Sequence, residues 1–397
     1  MKLLYISTFL FHKENGNTYG LPANADSFFG KYLDVFDSVR VLGDKMSSYL
    51  DVKGLSQMID SHISVELIPS NTHPSDFKND KRIRQILHDE ISKAEAVLIK
   101  PSTRKGMMAI KIAKELGKPY MIEMTGDIHN ALRQNSNFMK RLYAPFLYRS
   151  IKNAIADAPF GLYVSRDYLQ SQFPIRGEMC GCSDVILDFS AENILTDRLQ
   201  LIESITSERQ INLALIGFYQ GKMKGVDTAI RALARLPQHF HLNILGNGTE
   251  ENREKWYRYA DRHGIKNPKY RISFPRPLKS STEVLNWLDT QDFFVFPTLS
   301  EGLPRCLVEA ISRGCVCFAT NICTMPELLD ESCLFPKHRD DILSQLILEY
   351  ASDKDKLKEM AMRNYQHSKN YAPDILRKRR NEFLERFRLF CEEHNSI

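Results

Sequence analysis

The sequence predicts an α/β fold with two doubly wound domains, each built on a parallel sheet, facing a cleft. Three observations support this fold class. Short apolar runs alternate with amphipathic stretches, a polar segment interrupts the alternation once, and 397 residues correspond to between two and three units of ~150 residues. Hydrophobic residues make up 43% and charged residues 26% of the chain, close to globular averages, so the composition excludes disordered and fibrous proteins.

The expected strands are short apolar runs rich in β-branched and aromatic residues, as strands buried on both faces are. They lie at 3–10, 39–42, 65–68, 96–99, 120–124 and 160–164, and again at 211–216, 242–245, 272–274, 293–296 and 316–319. Helices are expected between them at 105–116 and 226–236, which Gly117 and Pro237 terminate. This alternation indicates parallel strands joined by right-handed helical crossovers.

The polar stretch 191–210 divides the chain. We expect an N-terminal domain over 1–190, a linker over 191–210, a C-terminal domain over 211–370 and a final helix over 371–397 that packs back towards the N-terminal domain. Ligands of such folds bind at the carboxyl ends of the strands, so we expect the functional site in the cleft.

Charge and cysteine content restrict the possible partners and the location. A net charge of +5 is too mild over this length to predict nucleic acid binding. The eight cysteines lack the spacing of a structural zinc site and read as buried thiols in a reducing compartment. The first apolar run has no cleavage site after it and reads as a strand, so we expect a cytoplasmic protein without a membrane span.

The most informative segment is 293–329, which begins FFVFPTLSEGLPRCLVEA. It reads as a buried strand, a loop, and a helix with Pro304 at its first position. Gly302 allows a ligand to approach the backbone, and the helix start suits a phosphate. Glu301 precedes this anion site, and Glu309 in the second helical turn can accept hydrogen bonds from ribose hydroxyls. For an isolated pair, a helix cap and a surface residue are the alternative interpretation.

The pattern from Glu301 to Glu309 resembles the donor-site signature of family 4 glycosyltransferases, which have the GT-B fold of two Rossmann-like domains. Three further segments agree with the resemblance. They are ALIGFYQGKMKGVDTAIRAL at 214–233, NILGNGTE at 243–250, and, as in members that build bacterial surface polysaccharides, YMIEMTGDIHNAL at 120–132 with YVSRDYLQSQFP at 163–174. The likeness covers most of 95–330.

The resemblance implies a retaining transferase that uses a UDP- or GDP-sugar and needs neither a metal nor a cofactor. Glu309 would bind the donor ribose, and Glu301 would hold hydroxyls of the donor sugar. Lys224 would neutralise the departing diphosphate, since fixed charge must replace a metal. The remaining donor-site residues implied are Gly217, Gly302, Leu303 and Pro304.

The chain departs from the family pattern at two places. Phe218 stands where the family has an arginine after the glycine corresponding to Gly217, and Lys222 is the candidate to replace that cation. Cys323 and Thr324 stand where the family has paired glycines.

In the N-terminal domain, Asp127 and His129 follow a strand end and are candidates to contact donor or acceptor. The alternative interpretation is that both are polar loop residues without a role in binding or catalysis. The loop from Gly16 to Gly20 is a candidate cradle for the diphosphate or the acceptor.

The expected acceptor is a glycan or a lipid-linked glycan in the biosynthesis of O-antigen, capsule or exopolysaccharide. Basic and aromatic residues mix over 138–152, which suits peripheral contact with the cytoplasmic face of the inner membrane; core aromatic residues are the alternative interpretation.

The main alternative function is a catalytically inactive, nucleotide-sugar-binding partner subunit, suggested by Phe218. A metal-dependent transferase is excluded because the Asp-x-Asp at 353–355 reads as a helix cap, not as a motif after a central strand. A dinucleotide oxidoreductase is excluded because no G-x-G-x-x-G follows the first strand.

Overall fold

The computed structural model describes residues 1–21, 25–46, 55–72, 74–135, 137–189, 191–206, 208–278 and 280–396. The chain divides into two compact units. The first unit comprises Met1–Ile128, Tyr143–Cys182 and Leu376–Ile397; the second comprises His129–Leu142 and Ser183–Ile375. Each unit contains a sheet of mainly parallel strands with helical crossovers, so the predicted α/β fold class is confirmed.

The first unit is built on a sheet whose strands are β1 (Lys2–Glu14), β2 (Asn17–Gly20), β3 (Ser38–Lys45), β4 (Ser56–Met58), β5 (Ile63–Ile68), β6 (Ala96–Ile99), β7 (Tyr120–Met124), β8 (Phe160–Tyr163) and β9 (Glu178–Gly181). The parallel part runs in the order β5-β3-β1-β6-β7-β8-β9, and β2 and β4 extend the end of β1 with antiparallel pairing. The strands β6 and β7 are buried along their whole length, which explains why their sequences are apolar apart from Tyr120 and Glu123.

The second unit has a six-stranded sheet, all of it parallel. Its strands are β10 (Ile211–Ile216), β11 (Phe240–Leu245), β12 (Ile272–Ser273), β13 (Phe293–Phe296), β14 (Val316–Thr320) and β15 (Leu334–Phe335). Their order is β12-β11-β10-β13-β14-β15, the order 3-2-1-4-5-6 of dinucleotide-binding folds. The order reverses between β10 and β13, and ligands of such sheets bind beyond the carboxyl ends of the strands at that reversal.

The helices of the described chain connect these strands. They are α1 (Asp26–Leu33), α2 (Asp80–Lys93), α3 (Arg104–Glu115), α4 (Ile128–Arg133), α5 (Phe138–Ile155), α6 (Tyr168–Gln172), α7 (Ile194–Glu203), α8 (Val226–Arg235), α9 (Glu250–Arg262), α10 (Ser281–Asp289), α11 (Arg305–Ser312), α12 (Met325–Leu328), α13 (Asp340–Ala351), α14 (Lys354–Ser368) and α15 (Pro373–Asn395). Helix α8 buries Val226, Ile230 and Leu233, the apolar face that its sequence predicts.

The loop expected at residues 16–20 is instead part of a β-hairpin, so that prediction is wrong. Strand β1 continues to Glu14, and Asn15 and Gly16 form the turn with φ values of 48° and 80°. Residues Asn17–Gly20 then pair with β1 as β2. Asn-Gly is the strongest local signal for a two-residue hairpin because both turn positions need positive φ.

The stretch expected to be a linker, 191–210, contains helix α7. Its Arg198 side chain is 3% exposed and donates hydrogen bonds to the carbonyl oxygens of Leu288, Gln291 and Arg313. The guanidinium group thereby satisfies three backbone acceptors and fastens α7 to the second unit.

The C-terminal helix α15 packs within the first unit. The rings of Phe383, Phe387 and Phe390 lie 5.3–5.6 Å from the ring of Phe160, and Arg377 forms a bidentate ion pair with Asp34 at 2.6–2.7 Å. These contacts explain why Leu376–Ile397 is counted with the first unit.

Within the described ranges, no helix combines the length and the apolar character needed to cross a membrane.

Candidate active site

Two loops of the second unit meet at the carboxyl ends of the neighbouring strands β10 and β13. One joins β10 to α8 over residues 217–225, and the other joins β13 to α11 over 297–304. The Leu299 N–H donates to the carbonyl oxygen of Met223 at 2.9 Å, and the Thr298 hydroxyl oxygen lies 3.2 Å from the same oxygen. The two loops therefore form one joined surface at the point where the strand order reverses.

Gly225 makes this close approach possible. Its φ is +70°, and a Cβ at this position would lie 1.9 Å from the carbonyl oxygen of Pro297. No other residue satisfies both the left-handed backbone and the lack of space. The Lys224-Gly225 pair that the sequence singled out is thus held by backbone geometry.

The joined loops bring Lys224 and Glu301 into contact. The Lys224 Nζ donates to Glu301 Oε1 at 2.5 Å, and the two side chains are 23% and 12% exposed. The Thr298 hydroxyl donates to the same carboxylate oxygen at 2.8 Å. An ammonium group and a carboxylate that remain partly open to solvent can each exchange this contact for a polar ligand.

Helix α11 begins next to this pair. It starts at Arg305 with Pro304 at the N-cap, one residue later than predicted, because the first intrahelical bonds run from Leu307 and Val308 to the Pro304 carbonyl. The N–H groups of Arg305 and Cys306 precede those bonds, and no hydrogen bond to either is found in the described part of the chain. Open N–H groups at a helix start, together with the helix dipole, attract an anion.

Glu309 occupies the second turn of α11, as the sequence predicts. Its side chain is half-buried, and burial raises the pKa of its carboxyl group, against the opposing positive charge of Arg305. Among the residues that the structure describes, no group forms a hydrogen bond or ion pair with this carboxylate. A carboxylate that is partly desolvated and has no protein donor is suited to accept bonds from a ligand.

The other predicted site residues of the loop between β10 and α8 have different surroundings from those of Lys224. Lys222 is 67% exposed and lies 3.8 Å from Asp227, so its charge is solvated and partly paired. Phe218 is 61% exposed. Gly217 lies against Lys224, because a Cβ at Gly217 would come within 2.6 Å of the Lys224 Cγ; the missing side chain gives that lysine its path to Glu301.

The loop after β14 supports the backbone of Gly302. The Thr324 hydroxyl donates to the Gly302 carbonyl at 2.6 Å, and Cys323 has φ 50°. The backbone thus takes the left-handed conformation at a position where the family has a glycine, although this chain places a cysteine there. Leu303, next to Gly302, is half-buried, and Pro304 is buried.

The candidates from the N-terminal half are divided between the units. Asp127 follows β7 in the first unit, is 6% exposed and accepts a hydrogen bond from the Tyr168 hydroxyl at 2.7 Å. His129 lies on α4 and is counted with the second unit. Gly16 occupies the hairpin turn after β1, and its role in diphosphate binding stays a prediction.

A charged cluster at the carboxyl end of β7 was not found by the sequence analysis. The Glu123 carboxylate is buried and accepts hydrogen bonds from the hydroxyls of Tyr5 and Tyr32. The ammonium groups of Lys31 and Lys100 lie 3.4 and 3.6 Å away. Although burial raises the pKa of Glu123, these charges and hydrogen bonds outweigh it and lower that pKa to about 2. A glutamate inside an apolar strand gives no signal of its partners, because they come from other elements.

The described residues include no group of three or more His, Cys, Asp or Glu side chains placed to hold a metal ion.

Two units, each with a mainly parallel α/β sheet, are the architecture of the GT-B fold, and solved glycosyltransferases align with this chain over nearly its whole length. Residues 210–353 match the family model described as Glycosyl transferases group 1. This match falls on the unit that carries the site, and the resemblance to GT-B glycosyltransferases is confirmed.

Individual proteins are similar to this chain over nearly its whole length. Protein CapJ of Staphylococcus aureus is 26% identical over 396 residues, which cover 97% of this chain and 95% of CapJ. HepE of Anabaena, solved in complex with UDP-glucose, aligns with a TM-score of 0.66 at 14% identity, over 97% of this chain and 100% of HepE. WaaG, a glycosyltransferase involved in lipopolysaccharide biosynthesis, aligns with a TM-score of 0.62 at 15% identity, over 96% of this chain and 98% of WaaG.

Proposed function

We propose that the protein is a retaining, metal-independent hexosyltransferase that moves a sugar from a UDP- or GDP-sugar to a glycan or lipid-linked glycan in surface polysaccharide biosynthesis. The observation that carries the proposal is the contact of 2.5 Å between Lys224 and Glu301, with the start of α11 and the open carboxylate of Glu309 beside it. Together, these residues of the second unit provide groups suited to bind a sugar, a diphosphate and a ribose.

The ribose of the donor nucleotide binds Glu309 in this proposal. Ribose hydroxyls are neutral donors, and a carboxylate without a protein partner gains two charge-assisted hydrogen bonds from them. The complex of HepE with UDP-glucose supports a uridine nucleotide as the first donor to test.

The diphosphate binds Lys224 and the N–H groups at the start of α11. As the bond between sugar and phosphate breaks, negative charge grows on the departing diphosphate, and fixed positive charge lowers the energy of that state. Lys222, exposed on the same loop, adds a second positive charge in place of the arginine that the family has at the position of Phe218.

The sugar lies next to Glu301 in the proposed complex. Its hydroxyls replace part of the Lys224 contact, which frees the ammonium group for the diphosphate. The backbone of Gly302, Leu303 and Pro304 then borders the sugar, and Asp127 and His129 are proposed to contact the reacting sugar or the acceptor.

The surface polysaccharide assignment is supported by the structural likeness to WaaG, and a cytoplasmic location is supported by eight free cysteines, which persist as thiols under reducing conditions. The proposed partners are the nucleotide sugar and the glycan acceptor, with no role for nucleic acid.

The test is transfer from a panel of UDP- and GDP-sugars in EDTA, with and without a lipid extract from the host cell. We expect nucleoside diphosphate release with one donor, stimulated by extract, and a product that keeps the anomeric configuration of the donor by NMR. Glu301→Gln should lower the rate about 100-fold or more, as loss of a group that acts at the reacting centre does. Equal turnover by this variant, or dependence on added metal, would contradict the proposal.

A nucleotide-sugar-binding subunit without catalysis is the second candidate, because Phe218 is exposed where the family has an arginine. This function predicts saturable donor binding with no release of nucleoside diphosphate, with any acceptor or with water. The transfer test therefore separates the two candidates.

A further inference from the structure

Thr298 places a buried hydroxyl beside the carboxylate of Glu301. It follows strand β13 by two residues and is fully buried. Three acceptors lie near its hydroxyl oxygen: Oε1 of Glu301 at 2.8 Å, and the carbonyl oxygens of Met223 and Ser300 at 3.2 and 3.5 Å. A hydroxyl has one proton to donate. Since the carboxylate is both the nearest and the charged acceptor, the proton is donated to Glu301.

The two protein partners of Glu301 bind the same oxygen of its carboxylate. The Thr298 hydroxyl and the Lys224 ammonium group both donate to Oε1, at 2.8 and 2.5 Å. Among the residues that the structure describes, no group donates to the other oxygen, Oε2. A carboxylate accepts up to about four hydrogen bonds over its two oxygens, so Oε2 keeps its capacity for a ligand.

Thr298 and Lys224 differ in how readily they can leave this oxygen. The Thr298 side chain is short and branched at Cβ, which restricts its χ1, and the backbone after it is fixed by the bond of 2.9 Å from the Leu299 N–H to the Met223 carbonyl. Lys224 reaches Glu301 through a flexible four-carbon stem, and its side chain is 23% exposed. The threonine is therefore a fixed partner of Glu301, whereas the lysine can exchange the carboxylate for an anion.

We infer that Thr298 is a positioning residue for the donor sugar: it holds Oε1 of Glu301 while Lys224 turns to the diphosphate, and it thereby aims Oε2 at the sugar hydroxyls. A carboxylate whose orientation is set before the ligand arrives loses less rotational freedom on binding. The inference rests on the proposed function and deepens it. Because Thr298 is fully buried, it acts on the sugar only through Glu301.

Thr298→Val tests this role because it removes the hydroxyl and keeps the branched shape of the side chain. The Met223 carbonyl retains its bond from the Leu299 N–H, and Glu301 retains its bond from Lys224. We therefore expect the joint between the two loops to persist in the variant.

Two further variants separate the hydroxyl from the side chain that carries it. Thr298→Ser keeps the hydroxyl and should restore the function of the residue. Thr320→Val is the matched control, because Thr320 ends β14 in the same sheet, is 1% exposed, and has its hydroxyl oxygen 3.5 Å from the backbone carbonyl oxygen of Phe296.

The experiment is titration calorimetry of these proteins, in EDTA, with the UDP- and GDP-sugars of the panel and with UDP and GDP alone. For the nucleotide sugar that wild type binds, Thr298→Val should lower the affinity about tenfold, as expected for a lost hydrogen bond to a charged group. The affinity of this variant for the nucleoside diphosphate should change less than about twofold, because the diphosphate does not depend on Glu301. Thr298→Ser should bind the nucleotide sugar within about threefold of wild type, and Thr320→Val should match wild type with both ligands.

Equal loss of both affinities in Thr298→Val would overturn the inference, because the residue would then support the loop and not the sugar contact. Normal binding of the nucleotide sugar by Thr298→Val would also overturn it, as would a Thr298→Ser protein that binds the nucleotide sugar as weakly as Thr298→Val does. These results would leave the proposed function standing, because wild type still binds the donor. If wild type binds no nucleotide sugar of the panel, the proposed function itself fails, and the inference falls with it.

Discussion

Glu309 combines a structural cost with a proposed role in binding. Burial raises the pKa of its carboxyl group above the ordinary value of 4.5, so above that pH the folded chain holds more protons than the unfolded chain. Stability due to this group therefore falls as pH rises through its folded pKa. Such a cost is typical of functional carboxylates, because the bound ligand supplies the missing donors.

Replacing Glu309 by Gln should therefore separate stability from binding. Since the variant no longer buries a charge, we expect its melting temperature at pH 7 without nucleotide to equal or exceed that of wild type by roughly 1–3 °C. Its stability should also fall less than that of wild type as the pH rises above 4.5, the ordinary pKa of the carboxyl group. Nucleotide affinity should fall at least about tenfold, as expected for a lost charge-assisted hydrogen bond. Calorimetric unfolding and titration measure both effects.

The control for this prediction is Glu251→Gln, because Glu251 is exposed and lies on the same unit. It should leave both quantities unchanged. A Glu309→Gln protein that is less stable yet binds nucleotide normally would assign Glu309 a structural role.

Lys224→Gln tests the diphosphate contact. We expect the affinity for UDP or GDP to fall by about tenfold or more, because a charged hydrogen bond to phosphate is lost, while the affinity for the corresponding monophosphate changes little. Titration calorimetry with the two nucleotides measures the difference.

Lys222→Gln is the informative comparison, since Lys222 shares the loop but is 67% exposed. If Lys222 takes the place of the absent arginine, its loss lowers diphosphate affinity as well. Equal weakening of monophosphate and diphosphate by Lys224→Gln would contradict a contact with the second phosphate.

At the scale of elements, the joint between the two loops of the second unit organises the site. Gly225→Ala forces a Cβ to within 1.9 Å of the Pro297 carbonyl at φ +70°. We expect a loss of about 2 kcal/mol or more of stability from the left-handed backbone and the clash together, with loss of nucleotide binding. Chemical denaturation monitored by circular dichroism measures the first effect.

Gly221→Ala is the matched control, because Gly221 lies in the same loop and a Cβ there meets nothing within 4 Å. It should be neutral. If Gly221→Ala destabilised the protein as much as Gly225→Ala, the loss would come from the loop between β10 and α8 itself. The contact of that loop with the loop after β13 would then not explain it.

The elements that the sequence predicts best are those whose residues are buried on both faces. The apolar runs 96–99, 120–124, 211–216 and 293–296 coincide with β6, β7, β10 and β13, because strands at the centre of a parallel sheet are mostly apolar. Helix α7 was missed because its polar sequence conceals Arg198, whose buried role depends on carbonyl groups about 90 to 115 residues away.

In the candidate site, as in the sheets, the features that depend on neighbouring residues in the sequence were predictable, and the contacts between distant residues were not. Glu309 and the start of α11 follow from local order in the sequence. The contact between Lys224 and Glu301 joins residues 77 positions apart, and Thr298, which bonds to Glu301, has no motif of its own. The hairpin at Gly16 was misread although Asn15-Gly16 carries its signal, because the first strand was expected to end at residue 10 and instead continues to Glu14.

At the scale of the whole molecule, the second unit contains the residues proposed to bind the donor nucleotide, and the first unit contains the charged cluster around Glu123. The family match at 210–353 lies within the second unit, while the likeness to HepE and WaaG extends over both. Donor binding by the second unit is therefore the central claim, and it can be measured without knowledge of the acceptor.

The most direct measurement is thermal unfolding of the full chain with UDP, GDP, ADP, TDP and CMP, in EDTA throughout. A nucleotide at a hundred times its Kd adds about 2.7 kcal/mol, which should raise the melting temperature by roughly 5–10 °C. We predict such a shift with UDP or GDP in the wild type and, at the same nucleotide concentration, a shift smaller by about half or more in Glu309→Gln. No shift with any nucleotide, or an equal shift in the variant, would contradict a metal-free donor site at Glu309.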